Sequence, residues 1–195
     1  MDDVTPFRLR AFLAADLAAA NRMMHGAHAS SRRGWRQWAG MLSPRFLPIL
    51  NCRLAYFFYT RRLGVLAKLF STANFFLFGI EIAVRCPIGP GLFLPHTHGT
   101  VIGALRIGAN ATIYQGVTLG AREVDFAYGA SSRPVIGDGV VIGSGAKVIG
   151  GLTVGSGARI GANAVVVQSV PSGALAVGVP ARIVEKDGRD DHAIF

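Results

Sequence analysis

From Ile82 to Val166 a large aliphatic residue returns at almost every sixth position. The series runs Ile82, Ile88, Leu94, then after a step of seven Val101, Ile107, Ile113 and Leu119. After a longer gap it resumes at Ile136, Ile142, Val148, Val154, Ile160 and Val166. Glycine follows the aliphatic at 89, 108, 120, 137, 143, 155 and 161. A period of six fits neither a helix nor a plain alternating strand. It fits a solenoid in which each hexapeptide makes one short strand and one tight corner, three of them closing a triangular coil. The aliphatics point into the prism, and Gly, Ala, Asn or Ser takes the corner backbone. Coils stack about 4.8 Å apart, each covering the edge of the last. A sandwich of short strands is the alternative, and so long an in-phase series argues against it.

Composition divides the chain near residue 80. Residues 1–80 hold eleven Lys/Arg against three Asp, while residues 81–195 hold nine against eight acidic residues, so the formal charge of +9 belongs almost wholly to the first part. Twenty of the 25 glycines lie in the second part, where the repeat is. The expected organisation is therefore a basic, Phe/Leu-rich helical segment (1–78), a repeat domain (79–184) with an inserted loop (121–135), and a charged tail (185–195). With 51% hydrophobic and 16% charged residues the chain is not disordered.

Apolar spacing predicts helices over Thr5 to Met24, about Ile49 to Leu63, and Val65 to Phe78, with a polar, basic break over 25–34 and Pro44 and Pro48 before the second helix. Arg53, Arg61 and Arg62 flank the second helix. Within this helical segment the longest uncharged run, Leu69 to Ile80, has twelve residues, short of the ~20 that span a bilayer. The helices are expected to pack on each other, on the prism end or on a neighbouring subunit, or else to lie on an anionic membrane surface. Nucleic-acid binding is not expected, since no recognised motif accompanies the charge. Cys52 and Cys86 form neither a disulfide framework nor a zinc motif, and the acidic start Met1-Asp2-Asp3 is no signal peptide, so a cytoplasmic location is expected, with peripheral attachment at the inner membrane face as its variant.

Chemistry in such a solenoid belongs on its outer faces, between subunits or under the loop. His96 sits at the seven-residue step, and an imidazole there can take a proton from an attacking hydroxyl. Glu81 lies fifteen residues earlier, which places it on the adjacent layer, where a carboxylate would orient the imidazole. The bland reading is a corner histidine and a solvated glutamate. His98 raises the thought of a metal, but no third ligand accompanies it, and no metal is expected. Cys86 reads as a buried structural thiol.

The segments Gly-Ile-Glu-Ile (79–82), Ile-Gly-Pro-Gly-Leu-Phe-Leu-Pro-His (88–96), Gln-Gly-Val-Thr-Leu-Gly (115–120), Ile-Gly-Asp-Gly-Val-Val-Ile-Gly-Ser-Gly-Ala-Lys (136–147) and Val-Gly-Val-Pro-Ala-Arg (177–182) resemble the left-handed β-helix acyltransferases, most closely the serine acetyltransferase family. The resemblance implies a mainly β fold, a left-handed parallel β-helix of hexapeptide repeats with an α-helical N-terminal segment, usually assembled as a homotrimer. It implies His96 as general base, Glu81 in place of the usual aspartate as its partner, and acetyl-CoA as co-substrate. It also implies a cofactor groove touching Ser144, Ala146, Lys147, Ala162 and Arg182.

The departures are equally specific. Where that family has an Arg-His pair before the proline that re-enters the repeat, this chain has Ser132 and Arg133 before Pro134. The loop carries Phe126 and Tyr128, and the helical segment is short, as in the related enzymes of capsular and exopolysaccharide synthesis (colanic acid type). The expected reaction is acetyl-CoA-dependent O-acetylation of a hydroxyl acceptor, with a sugar placed first and L-serine second, and with His98, Arg133 and Tyr128 as acceptor contacts. A non-catalytic β-helix scaffold is the remaining alternative.

Overall fold

The computed structural model describes residues 7–25, 43, 45–125 and 127–184. The expectations for the 25–34 break beyond residue 25, for Pro44, for Phe126 and for the 185–195 tail lie outside the described residues. Among the described residues three helices come first: α1 (Leu9–His25), α2 (Leu47–Thr60) and α3 (Gly64–Phe78). Helix α2 starts with Pro48 in its first turn, where the missing N–H leaves no bond unmade. It stops at Thr60, short of the expected Leu63, because Arg62 turns to a left-handed φ of 61° and the Arg61 and Arg62 amides fold back onto Phe58 and Tyr59. Helix α3 closes on Gly79, whose φ of 61° is the usual left-handed helix terminator.

The solenoid follows as three flat faces. The first is the parallel sheet β1 (Ile80–Ile82), β2 (Thr100–Ile102), β5 (Thr118–Gly120), β8 (Lys147–Ile149) and β11 (Val165–Val166). The second contains β4 (Thr112–Ile113), β7 (Val141–Ile142), β10 (Arg159–Ile160) and β12 (Leu175–Val177), with β13 (Arg182–Val184) antiparallel on its edge. The third is β3 (Arg106–Ile107), β6 (Val135–Ile136) and β9 (Thr153–Val154). Inward residues such as Ile80, Leu94, Ile113, Ile136, Ile142 and Ile160 are at most 1% exposed. Each contributes on the order of 1.5–3 kcal/mol by leaving water.

Register measures the irregularities. Val141 pairs with Arg159, an ordinary coil of eighteen, whereas Thr118 pairs with Lys147 and Arg106 with Val135, both twenty-nine apart. The inserted loop thus adds eleven residues without displacing any face. Ile80 pairs with Thr100, a coil of twenty, because the Pro95–Gly99 corner is long. This corrects one rung of the ladder. Val101 is 37% exposed and Ile102 is fully buried. The extra corner residues shift the inward phase by one, and a shift of one turns a strand residue to the other face.

Among the described residues no strand lies beneath the first coil, and α1 and α2 supply what a strand would. Arg53 donates from Nη1 to the Ile88 carbonyl (2.5 Å) and from Nη2 to the Gly89 carbonyl (2.7 Å). Its Nε and Nη2 also grip the Asp16 carboxylate at 2.8 and 2.9 Å. Asp16 Oδ1 accepts the Gly91 and Leu92 amides, each at 2.8 Å. Both side chains are buried, so Arg53 is no surface cation beside Arg61 and Arg62, contrary to the sequence expectation. Removing one partner strands a buried charge, and Arg53→Met should lower stability by about 3–5 kcal/mol in urea unfolding. Pairing it with Asp16→Leu should not restore the loss, because four backbone groups of the first coil stay unpaired. A double variant as stable as the parent would contradict this account.

Candidate active site

One corner of the prism is a column of backbone turns. Gly79, Gly99, Gly116, Gly145 and Asn163 occupy it in successive layers, all with φ between 56° and 72°. At Gly145 close stacking leaves no room for a side chain, since a Cβ there would lie 2.1 Å from Asn163 Oδ1. Amide-to-carbonyl bonds climb the column, from Gly99 to Gly79 (2.9 Å), Gly116 to His98 (3.0 Å), Gly145 to Gln115 (2.8 Å) and Asn163 to Ser144 (2.8 Å). His98, Gln115 and Ser144 are therefore equivalent residues one layer apart, and Ala162, which precedes Asn163, heads the next. The column spans roughly 14 Å from His98 to Ala162 at about 4.8 Å per layer.

His96 stands exposed at the low end of this column. Its corner is pinned to the end of α3: Thr97 Oγ1 donates to the Phe78 carbonyl at 2.8 Å, and His98 Cδ2 would be 3.1 Å from a Cβ on Gly79. Glu81 is the outward, exposed residue of β1, in register with Val101 on the next layer. The two expected catalytic side chains thus lie on adjacent layers, both open to solvent, with no hydrogen bond or ion pair between them.

Further up, Lys147 reaches back one layer and donates from Nζ to the Gly116 carbonyl at 2.5 Å. The hairpin formed by β12 and β13 closes over the top layer, with the Val165 amide on the Gly178 carbonyl (3.0 Å) and the Ala181 amide on the Val165 carbonyl (2.8 Å). This brings the exposed Arg182 beside the Ala162 end. Ser144, Lys147, Ala162 and Arg182 are gathered along one edge. Ala146 is the correction: it is fully buried inside the prism. Each short strand alternates with period two, so the residue two before an inward aliphatic also faces in, and no ligand reaches Ala146 from outside. Sequence reasoning missed Gln115. Its Oε1 is buried without a hydrogen-bond partner between His98 and Ser144. A long polar residue where the later coils carry Ser144 and Ala162 was the available signal.

The inserted loop sits at a different corner, at the far end of β5. Arg133 is held by the loop and by the backbone beside it: Nε donates to Asp125 Oδ2 (3.0 Å), Nη2 to the Asp125 carbonyl (2.9 Å) and Nη1 to the Gly103 carbonyl (2.8 Å). Its guanidinium lies 4.0 Å from the centre of the Tyr128 ring. The Tyr128 hydroxyl donates to the Ala104 carbonyl at 2.6 Å. Burial and the neighbouring Cys86 push its pKa up. Two of the three expected acceptor contacts, Tyr128 and Arg133, therefore have their polar atoms engaged by the loop and by the Gly103-Ala104 backbone, and the protomer does not bring them to His96. Between the loop and the Gly150-Gly151 turn lies an open cleft of about 600 Å³ lined by Arg122, Glu123, Asp125, Ser131 and Ser132. Cys86 is buried, and burial together with Cys52 raises its pKa, as suits an inert thiol.

Hydrogen bonds from Ser132 and the Gly129 amide, with Arg133 beside it, hold the Asp125 carboxyl below its ordinary 3.8. A depressed carboxylate stabilises above the unfolded value, and that contribution is lost as pH falls through the folded one. Protease sensitivity of the loop should therefore rise only below about pH 4, and Asp125→Asn should produce the same sensitivity at neutral pH. Equal cleavage of both proteins at every pH would refute the Asp125 knot.

The family profile described as bacterial transferase hexapeptide (six repeats) matches residues 133–168. A serine acetyltransferase of Staphylococcus xylosus is 47% identical over 137 residues, covering 70% of this chain and 62% of that protein. One of Helicobacter pylori (strain J99) is 43% identical over 148 residues, covering 75% of this chain and 85% of that protein. Among solved structures, a serine acetyltransferase in complex with CoA superposes with a TM-score of 0.75 at 31% identity, over 90% of this chain and 69% of that one. Fold and repeat define a hexapeptide-repeat transferase built on a left-handed parallel β-helix. Within that class, the chain belongs to the serine acetyltransferase family. It spans only 62% of the length of the Staphylococcus relative.

Proposed function

We propose that this protein is an acetyl-CoA-dependent O-acetyltransferase whose acceptor is L-serine. The observation that carries the reading is the corner column, with His96 at one end and the open edge of small residues and cations running from it. It is supported by the Helicobacter serine acetyltransferase, 85% of which this chain matches, and by the CoA complex of a structural neighbour. The sugar acceptor that the loop suggested is displaced from first place. The Staphylococcus and Helicobacter relatives are serine acetyltransferases, and two of the three side chains expected to contact the acceptor, Tyr128 and Arg133, are already bonded to the Ala104 and Gly103 carbonyls.

In the proposed reaction His96 removes the proton of the acceptor hydroxyl as that oxygen attacks the thioester carbonyl. Glu81 on the neighbouring layer fixes the imidazole and balances its transient charge. The tetrahedral intermediate collapses, CoA leaves as thiolate, and His96 returns the proton to it. Acetyl-CoA lies along the column past Ser144 and Ala162, with Lys147 and Arg182 as the nearby cations for its phosphates. A homotrimer places a second prism against this edge. Its loop then approaches the His96 corner, a meeting that one protomer does not make.

His96→Ala should lower the rate of CoA release by at least about 100-fold while leaving circular dichroism and molecular mass unchanged. Assays with L-serine beside a panel of sugars test the acceptor. Turnover of a sugar, and not of serine at millimolar concentration, would replace the serine assignment. Absence of acetyl-CoA binding would replace the enzyme by a scaffold.

A further inference from the structure

Helix α3 is built inside out. Its inward stripe holds the buried Ala67 and Asn74 and the half-buried Ser71, and the two polar residues hold it in place. Asn74 Nδ2 donates to the Pro48 carbonyl at 2.9 Å, its Oδ1 accepts from Asn51 at 3.1 Å, and Ser71 Oγ donates to the Ile82 carbonyl at 3.3 Å. The helix cannot roll to bury its other side without breaking these bonds. That other side presents Val65 (86% exposed), Leu69 (61%), Phe75 (54%), Phe76 (77%) and Leu77 (69%). Apolar residues that outnumber polar ones on the outer face mark a surface with a partner.

Charge identifies the partner. Arg61, Arg62 and Lys68 are exposed beside this face, and the sequence contains no Asp or Glu from residue 17 to residue 80. A second copy meeting the same face would set these cations against each other with no carboxylate from this segment to offset them. An anionic lipid surface would accept the cations at its headgroups and the Phe and Leu side chains at the acyl boundary. With 15 residues α3 is about 22 Å long. No helix among the described residues is long and apolar enough to cross a membrane, so α3 would lie in the interface plane.

We infer that the outer face of α3 is a membrane-docking surface for anionic phospholipid, with Leu69, Phe75, Phe76 and Leu77 inserting and Arg61, Arg62 and Lys68 contacting headgroups. The inference rests on α3 and the turn that precedes it and is independent of the acceptor. It is tested by sedimenting the full-length protein with vesicles of phosphatidylcholine, with and without phosphatidylglycerol. Binding is expected only to the phosphatidylglycerol vesicles, weakening as salt is raised. Leu69→Glu with Phe76→Glu should reduce it at least tenfold without changing the molecular mass of the free protein. Arg61→Gln, Arg62→Gln and Lys68→Gln together should abolish the preference for anionic vesicles while leaving the fold intact. Three results would overturn the inference: no binding to phosphatidylglycerol vesicles, equal binding to both kinds, or a Leu69→Glu/Phe76→Glu protein of lower mass, which would make the face a contact between copies.

Discussion

A parallel coil can satisfy its backbone only if another layer lies beside it, and the first layer of a solenoid has none on one side. Here the Asp16–Arg53 pair is the missing layer. Two side chains from two helices, 37 residues apart in sequence, supply acceptors and donors to Ile88, Gly89, Gly91 and Leu92. Burying a charge pair gains little by itself. What makes it favourable is that each charge is also hydrogen-bonded to backbone that would otherwise be orphaned. The helical segment is thus part of the β-helix core, although its composition sets it apart.

The repeat was legible because one physical rule, an aliphatic inside every rung, is written at constant spacing. Where that rule is locally suspended the reading fails by small amounts. The long Pro95–Gly99 corner moved the inward residue from Val101 to Ile102. Ala146 looked like an outer small residue because the six-residue period conceals a period of two inside each strand. The Asp16–Arg53 pair was not legible at all, since nothing local distinguishes a buried arginine from a surface one. Arg133 and Tyr128 were seen as functional because they are unusual. The unusual feature is their mutual packing and their bonds to Asp125, Gly103 and Ala104, which only the folded loop reveals.

The candidate site follows from the same geometry. A left-handed backbone at every turn of one corner leaves a strip of exposed main chain with no bulky side chain over it. His96 is displaced from that strip by the two additional residues of its corner. The irregular coil therefore does two things at once: it re-phases the core, and it lifts an imidazole away from a wall that is otherwise smooth. Glu81 gains its position from the opposite cause, strict register with Val101 on the adjacent strand.

The far end of the prism is finished differently from the near one. Strand β13 runs antiparallel to β12 and all three of its residues are exposed. A parallel coil could continue indefinitely by adding an identical layer, but a reversed strand offers the wrong hydrogen-bond pattern to the next layer of the same kind. Together with the sealed first coil, this fixes the number of coils from both directions. Copies of the protein are thereby kept from joining end to end into fibres, so assembly is left to the flanks of the prism.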